Sequence, residues 1–225
     1  MKFSWMKWSV LPAAVLLLGG VAGAQDQSSS DSQSSSQSGE AAAPAPAEKP
    51  KPTVAQRKEN QQDRIAQGIK SGQLTAGETK NLEKKEAAIN KETAGDRAAN
   101  GGKLTAAEKK QVNQQQNQMS KQIYADKHNA NTAHYGNNKV GQRRENQQDR
   151  IAQGIKSGQM TAGEAARAEK QQQGINKQVA ADRKANGGKL NASEKKQINK
   201  EQTAASRNIY RKKHNAKTQP GTPPK

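Results

Sequence analysis

The residues best placed to do chemistry are four glutamates near predicted helix starts. Glu78, Glu108, Glu164 and Glu194 each stand three residues after a Thr or Asn. Ahead of each lie a Gly and an apolar residue: Gly72 and Leu74, Gly102 and Leu104, Gly158 and Met160, Gly188 and Leu190. Counted as the last ligand of a calcium-binding helix-loop-helix loop, Glu78 puts Gly72 sixth and Leu74 eighth, as that motif requires. The oxygen ligands do not follow. Positions one, three and five are Gln67, Ile69 and Ser71 in the first link, and Arg97, Ala99 and Gly101 in the second. A hard cation needs several oxygens, and one Glu cannot supply them. The same glutamates suit a capping box, in which Thr75 and Glu78 each satisfy a free backbone N–H of the other. Capping is the first expectation, and a divalent-metal-binding protein with degenerate links is the alternative.

A second candidate is Tyr124 with His128, matched by Tyr210 with His214. Residues four apart share a helix face, so the pair could form a ring contact or a soft-metal site. With no Cys and no second His on that face, packing at the helix end is the expected role. For catalysis there is no Cys nucleophile, no Gly-x-Ser-x-Gly elbow, no phosphate loop and no zinc-protease helix motif. Carboxylates such as Glu83, beside Lys84, are expected on exposed helix faces. No catalytic, cofactor-binding or metal-ligating residue is assigned, and a non-enzymatic protein is expected.

What remains is positive charge. The chain carries 38 Lys and Arg against 20 Asp and Glu, a formal net charge of +18. Such a field favours an anionic surface or macromolecule: an envelope component, acidic glycan, lipid headgroup or nucleic acid. Candidate anion contacts are Arg57, Lys58, Arg64 and Lys70, their repeats Arg143, Arg144, Arg150 and Lys156, and the run Arg211, Lys212 and Lys213. Tyr124, Tyr135 and Tyr210 are the only aromatics after residue 24, too few for base recognition by stacking.

These residues sit on a duplication. Glu59 to Gln73 returns letter for letter at Glu145 to Gln159, an offset of 86 residues. Ile65 and Ile69, four apart, share one helix face, and the following Ser71-Gly72 is a helix stop. Repetition of stop, short link and capping box predicts an all-α protein of two tandem three-helix modules. Expected helices run over 55–70, 76–98 and 106–130, then 141–156, 162–184 and 192–216. Expected core residues are Ile65, Ile69, Leu74, Leu82, Ile89, Leu104, Val112, Met119 and Ile123. Their counterparts are Ile151, Ile155, Met160, Ala168, Ile175, Leu190, Ile198, Ala205 and Ile209. Because Leu82 and Met119 become Ala168 and Ala205, the second module should be the less stable unless it packs on something else.

The modules are expected at 54–132 and 140–218, joined by a linker at 133–139, with a disordered tail at 219–225. Ahead of them, Lys2 and Lys7, the apolar run Val10 to Val21 and the small residues Ala22-Gly23-Ala24 read as a cleavable signal peptide, 1–24. That run is too short for a span of about 20 residues, so no transmembrane span should remain after cleavage. Residues 25–53, Ser- and Gln-rich then Ala-, Pro- and Lys-rich, read as a disordered tether. The expected location is periplasmic or extracellular. With no Cys anywhere, stability must come from helices and packing alone. Only 17 of residues 25–225 are Leu, Ile, Val or Phe, so the core should be thin.

The pattern Arg-Ile-x-x-Gly, Ser-Gly-x-Leu-Thr-x-x-Glu and Ile-Tyr-x-x-Lys-His resembles a family of exported bacterial proteins with no established activity. It matches Arg64 to Glu78 and Ile123 to His128, then Arg150 to Glu164 and Ile209 to His214, with Met160 in place of Leu. The resemblance implies export and helical architecture and adds no mechanism.

Overall fold

Six short polar side chains decide where the helices begin. The structure, a computed structural model, describes residues 51–220; the expected signal peptide and most of the expected tether lie outside them. Thr53, Thr75, Thr105, Asn138, Thr161 and Asn191 cap, in order, α1 (Val54–Lys70), α2 (Ala76–Ala99), α3 (Ala106–Lys127), α4 (Lys139–Lys156), α5 (Ala162–Ala185) and α6 (Ala192–Lys213). All but Asn138 make a full capping box, and Asn138 accepts from the Gly141 N–H at 3.1 Å. Each cap is worth about 1 kcal/mol. Gly72 and Gly158, at φ of 71° and 66°, turn the chain from first helix to second in each copy. No strand occurs among the described residues, and no helix there is long and apolar enough to cross a membrane. The third and sixth helices end three residues earlier than expected, capped by His128 and His214.

Every residue expected in the core is buried. The two copies do not, however, keep separate cores. Ile65, Ile69, Leu74, Leu82, Met119 and Ile123 cluster with Ile151, Ile155, Met160, Ala168 and Ile209. Two smaller clusters sit at the far ends: Ile89, Leu104 and Val112 with Val54 against them, and Val140, Ile175, Val179, Leu190, Ile198 and Ala205. All six helices belong to one compact unit, in which α2 packs on α5 and α1 on α4.

The α2–α5 pairing explains why Leu82 became Ala168. A Cβ on Gly77 would meet the Gln173 amide, and one on Gly163 would come 4.0 Å from Ala87 Cβ, so the two helices run antiparallel. This register sets Leu82 opposite Ala168, its own counterpart, on the pseudo-twofold axis that relates the copies. Close approach at such an axis suits one large and one small side chain better than two leucines. Ala168 therefore completes a shared core instead of weakening a separate one. The second copy packs on the first, which removes the reason for expecting it to be the less stable.

Amides supply much of what the sparse apolar content leaves undone. Gln61 Nε2 donates to Gln116 O at 2.6 Å and to Ser120 Oγ at 2.8 Å; Gln147 makes the same bonds to Gln202 O at 2.6 Å and Ser206 Oγ at 2.7 Å. Gln116 in turn donates to Val54 O at 2.9 Å, and Gln202 to Val140 O at 2.8 Å. These bonds tie first helix to third inside each copy.

The segments after α3 and α6 are also bound. The Ala133 N–H donates to Gly72 O at 2.8 Å, and the Gln219 N–H to Gly158 O at 2.9 Å. Each segment then reaches the opposite copy's or following first helix: Arg144 donates to His134 O at 3.1 Å, and Lys58 donates to Pro220 O. Gln219, expected in a free tail, is buried and accepts from the Ala162 N–H at 2.8 Å. Linker and tail start are packed because the Gly72 and Gly158 carbonyls, just past the ends of α1 and α4, take their N–H partners from these segments.

Candidate functional site

Five of the eleven candidate anion contacts are used within the fold. Arg57 donates to Asn113 Oδ1 at 3.3 Å and to Asn117 Oδ1, and Arg143 to Asn199 Oδ1 at 3.2 Å and Thr203 Oγ1 at 3.0 Å. Arg64 donates to Ser120 O at 3.2 Å. Arg144 is buried, with its guanidinium 5.2 Å from the centre of the Tyr135 ring, a cation–π contact. Lys58, half-buried, is bound to Pro220 O. Lys70 and Lys156 lie exposed in the last turns of α1 and α4, where a cation suits the negative end of the helix dipole. Lys212 and Lys213 are half-buried near the end of α6; burial first, then the nearby Arg167, lowers the Lys212 ammonium below its usual value.

The remaining two come together. Arg150 from α4 and Arg211 from α6 line an open groove of about 600 Å³ with Arg207, Ser206, Ala204 and Tyr210. None of its three guanidiniums meets a carboxylate or other partner among the described residues. In the first copy the equivalent positions are Arg64, Lys121 and Ala125, and Arg64 is already bound to Ser120 O. The larger charge of the second copy, 18 Lys and Arg against 7 Asp and Glu over 140–218, thus has a local expression. Clustered guanidiniums offer paired N–H donors that match phosphate, sulfate and carboxylate oxygens. Arg207 went unnoticed in the sequence because α4 alone does not show which face of α6 it meets.

Tyr210, 57% exposed, and Tyr124, 61% exposed, do not pack into the bundle end as expected. Only Ile123 and Ile209 do so. Each tyrosine instead lies beside the histidine one turn on, with ring centres 4.1 Å apart for Tyr124–His128 and 4.2 Å for Tyr210–His214. A residue one position beyond a buried isoleucine is rotated by about 100° around the helix, which carries the ring to solvent.

Glu83 is a correction of another kind. Expected on an exposed face, it is fully buried, as is its counterpart Glu169, while Glu86 is buried one turn further on. Gln148 Nε2 donates to Glu169 Oε2 at 2.9 Å, whereas among the described residues neither carboxylate oxygen of Glu83 nor the amide nitrogen of the counterpart Gln62 has a hydrogen-bond partner. Burial pushes the Glu83 carboxyl well above the usual range, and the fields of Glu86 and Glu169 add to it. Burial likewise raises Glu169 to about 8, against the Gln148 bond, and Glu86 to about 7, against the Lys58 charge. Gln62 and Gln148 of the repeated segment are themselves buried. The sequence does hold a signal: Thr79, Glu83, Glu86 and Thr93 fall at three-, four- and seven-residue spacings along the stripe of Leu82 and Ile89. Charge hides it.

The four link glutamates act as caps. Glu78 Oε2 accepts from the Thr75 N–H at 2.9 Å while its Oε1 accepts from Asn129 at 2.8 Å and Asn131 at 3.1 Å. Asn215 makes the corresponding bond to Glu164 Oε1 at 2.6 Å. Among the described residues no three His, Cys, Asp or Glu side chains gather into a group that could hold a metal ion.

Taken together, the class defined is an all-helical bundle of two intimately packed copies with a cationic groove on one of them. No family model, curated protein or solved structure matches the chain.

Proposed function

We propose that the protein is an exported, non-catalytic helical scaffold that binds an anionic partner outside the cytoplasm. The observation that carries this reading is the groove of Arg150, Arg207 and Arg211, three guanidiniums brought together from two helices with no acidic partner. Holding like charges together costs energy that an anionic ligand would relieve. The leader motif at 1–24 supports export. Binding of this kind is electrostatic, so it weakens as salt shortens the screening length to about 3 Å at 1 M. Heparin chromatography provides the test. The protein should be retained at low salt and released by salt, and Arg150→Gln/Arg207→Gln/Arg211→Gln should elute earlier. Absent retention, retention indifferent to salt, or an unchanged elution of the triple variant would refute the reading.

A further inference from the structure

The duplication repeats a surface as well as a fold. Between the N-terminus of α1 and the α2–α3 link lies a groove of about 520 Å³, lined by Arg97, Lys103 and Lys109 over an apolar floor of Val54 and Leu104. The equivalent place in the second copy is a groove of about 690 Å³, lined by Arg183, Lys189 and Lys195 over Val140 and Leu190. Every one of these residues is offset from its partner by 86 positions. The repeat has therefore kept these three cations, Arg for Arg and Lys for Lys, over the same Val and Leu floor, while the second groove is lined in addition by Lys139, where the first has Thr53, and by Arg143.

The six cations have no side-chain partner among the described residues. The nearest capping acids are turned away from them. Glu108 accepts from the Thr105 N–H at 2.8 Å and from Asn100 at 2.8 Å, and Glu194 accepts from the Asn191 N–H at 2.9 Å and from Asn186 at 2.6 Å. Conserving three unpaired cations twice is unnecessary for folding, since none of them bonds the bundle.

The two grooves lie at opposite ends of the molecule. Arg97 and Arg183 are each 15 residues beyond Leu82 and Ala168, the point where antiparallel α2 and α5 cross the axis. At 1.5 Å per residue each groove is about 22 Å from that axis, so the two are about 45 Å apart. This is several times the screening length of about 8 Å at physiological salt, so occupancy of one cannot oppose occupancy of the other.

We propose that each copy carries its own groove for the phosphate headgroup of an anionic lipid, so that a single chain holds two headgroups and bridges two lipid surfaces. Three cations match a phosphate and its neighbouring headgroups, and the Val–Leu floor suits the first carbons attached to that phosphate. Open grooves at the tips of the bundle fit a group that protrudes from a surface. The proposal rests on the anionic-partner reading but uses a different set of residues from the Arg150 groove.

The test uses the full-length protein with phosphatidylcholine vesicles containing phosphatidylglycerol, following binding by co-sedimentation and clustering by turbidity. The unaltered protein should bind and cluster them, and phosphatidylcholine alone should do neither. Arg97→Gln/Lys103→Gln/Lys109→Gln and Arg183→Gln/Lys189→Gln/Lys195→Gln should each still bind yet no longer cluster. Combining all six changes should weaken binding by roughly a hundredfold, because a vesicle meets the three cations of one groove at about fivefold each. These side chains stand outside the hydrogen-bonded network, and circular dichroism of each variant checks that the helices persist. Clustering that survives in either triple variant overturns the bridging proposal. Release of the vesicles by an equal concentration of inorganic phosphate would assign the grooves to free phosphate and overturn the lipid source. If only Arg150→Gln/Arg207→Gln/Arg211→Gln abolishes binding, this proposal fails while the anionic-partner reading stands. If neither vesicles nor heparin bind, both fail.

Discussion

Replacing Glu169 by Gln should make the protein more stable, and the gain should grow with pH. Glu169 is fully buried at the inter-copy face, and burial raises it to about 8 from an ordinary value of 4.5. Below pH 4.5 the carboxyl is neutral in folded and unfolded chains alike, so folding carries no ionisation penalty. Between 4.5 and 8 the unfolded chain releases the proton and the folded one keeps it. Stability therefore falls by 1.36 kcal/mol per pH unit per group, reaching about 5 kcal/mol for Glu169. Glu83 and Glu86 act in the same direction, since burial raises both, Glu86 to about 7. The caps oppose them at the acid end. Burial raises Glu78, but bonds from Thr75, Asn129 and Asn131 outweigh it and hold the group below its usual value. Stability should thus peak in mildly acid solution. Glu169→Gln keeps the shape and the Gln148 contact and removes the charge. At pH 8 its melting temperature should exceed that of the unaltered protein by on the order of 10 °C, at roughly 2–4 °C per kcal/mol for a chain of this size. At pH 4.5 the two should coincide. Thermal melts followed by helical circular dichroism from pH 4.5 to 8.5 make the comparison. An unaltered protein whose stability is level or rising between pH 5 and 8, or a variant that keeps the same slope, would refute the buried-acid account.

Four substitutions probe the packing. Gly68→Ala would bring a Cβ to 2.7 Å from Leu74, whereas Gly154→Ala meets Met160 Sδ at 2.6 Å. Urea unfolding should show a cost of roughly 1–3 kcal/mol at Gly68 and less at Gly154, because unbranched Met moves aside more easily than Leu. Gly141→Ala would drive its Cβ into the carbonyl oxygens of both Tyr135 and Gly136. Backbone cannot yield as a side chain does, so the loss should be on the order of 3 kcal/mol, with the Arg144–Tyr135 contact broken. Ala168→Leu copies the first repeat's residue onto the axis and should destabilise by about 1–3 kcal/mol through overpacking. A stabilised Ala168→Leu protein in the same urea experiment would contradict the register assigned to α2 and α5.

Much of this molecule could be read along the chain. Capping boxes are local, since the bonds of Thr75 with Glu78 or Asn191 with Glu194 span three residues, and so helix starts and the doubled pattern follow from spacing alone. The apolar positions were equally legible, for isoleucines such as Ile65 and Ile69 have no favourable place except inside. What escaped were residues whose surroundings come from another part of the chain. Glu83 beside Lys84 looks like any solvated pair until α5 closes over it. Arg64 and Arg150 lie in identical segments, yet one is tied to Ser120 O and the other faces Arg207 and Arg211. Arg97 and Arg183 become parts of doubled grooves only when the α2–α3 and α5–α6 links fold against the starts of α1 and α4. The sequence alone determined six helices, four of them with a legible capping box, their repetition and the positive charge. Tertiary structure decided that the two copies share one core about an axis at Leu82 and Ala168, and with it which charges are buried, which are bonded and which remain outward for a partner. Helix formation depends on neighbours a few residues away, whereas burial and charge pairing depend on what an antiparallel partner helix brings from 86 residues away.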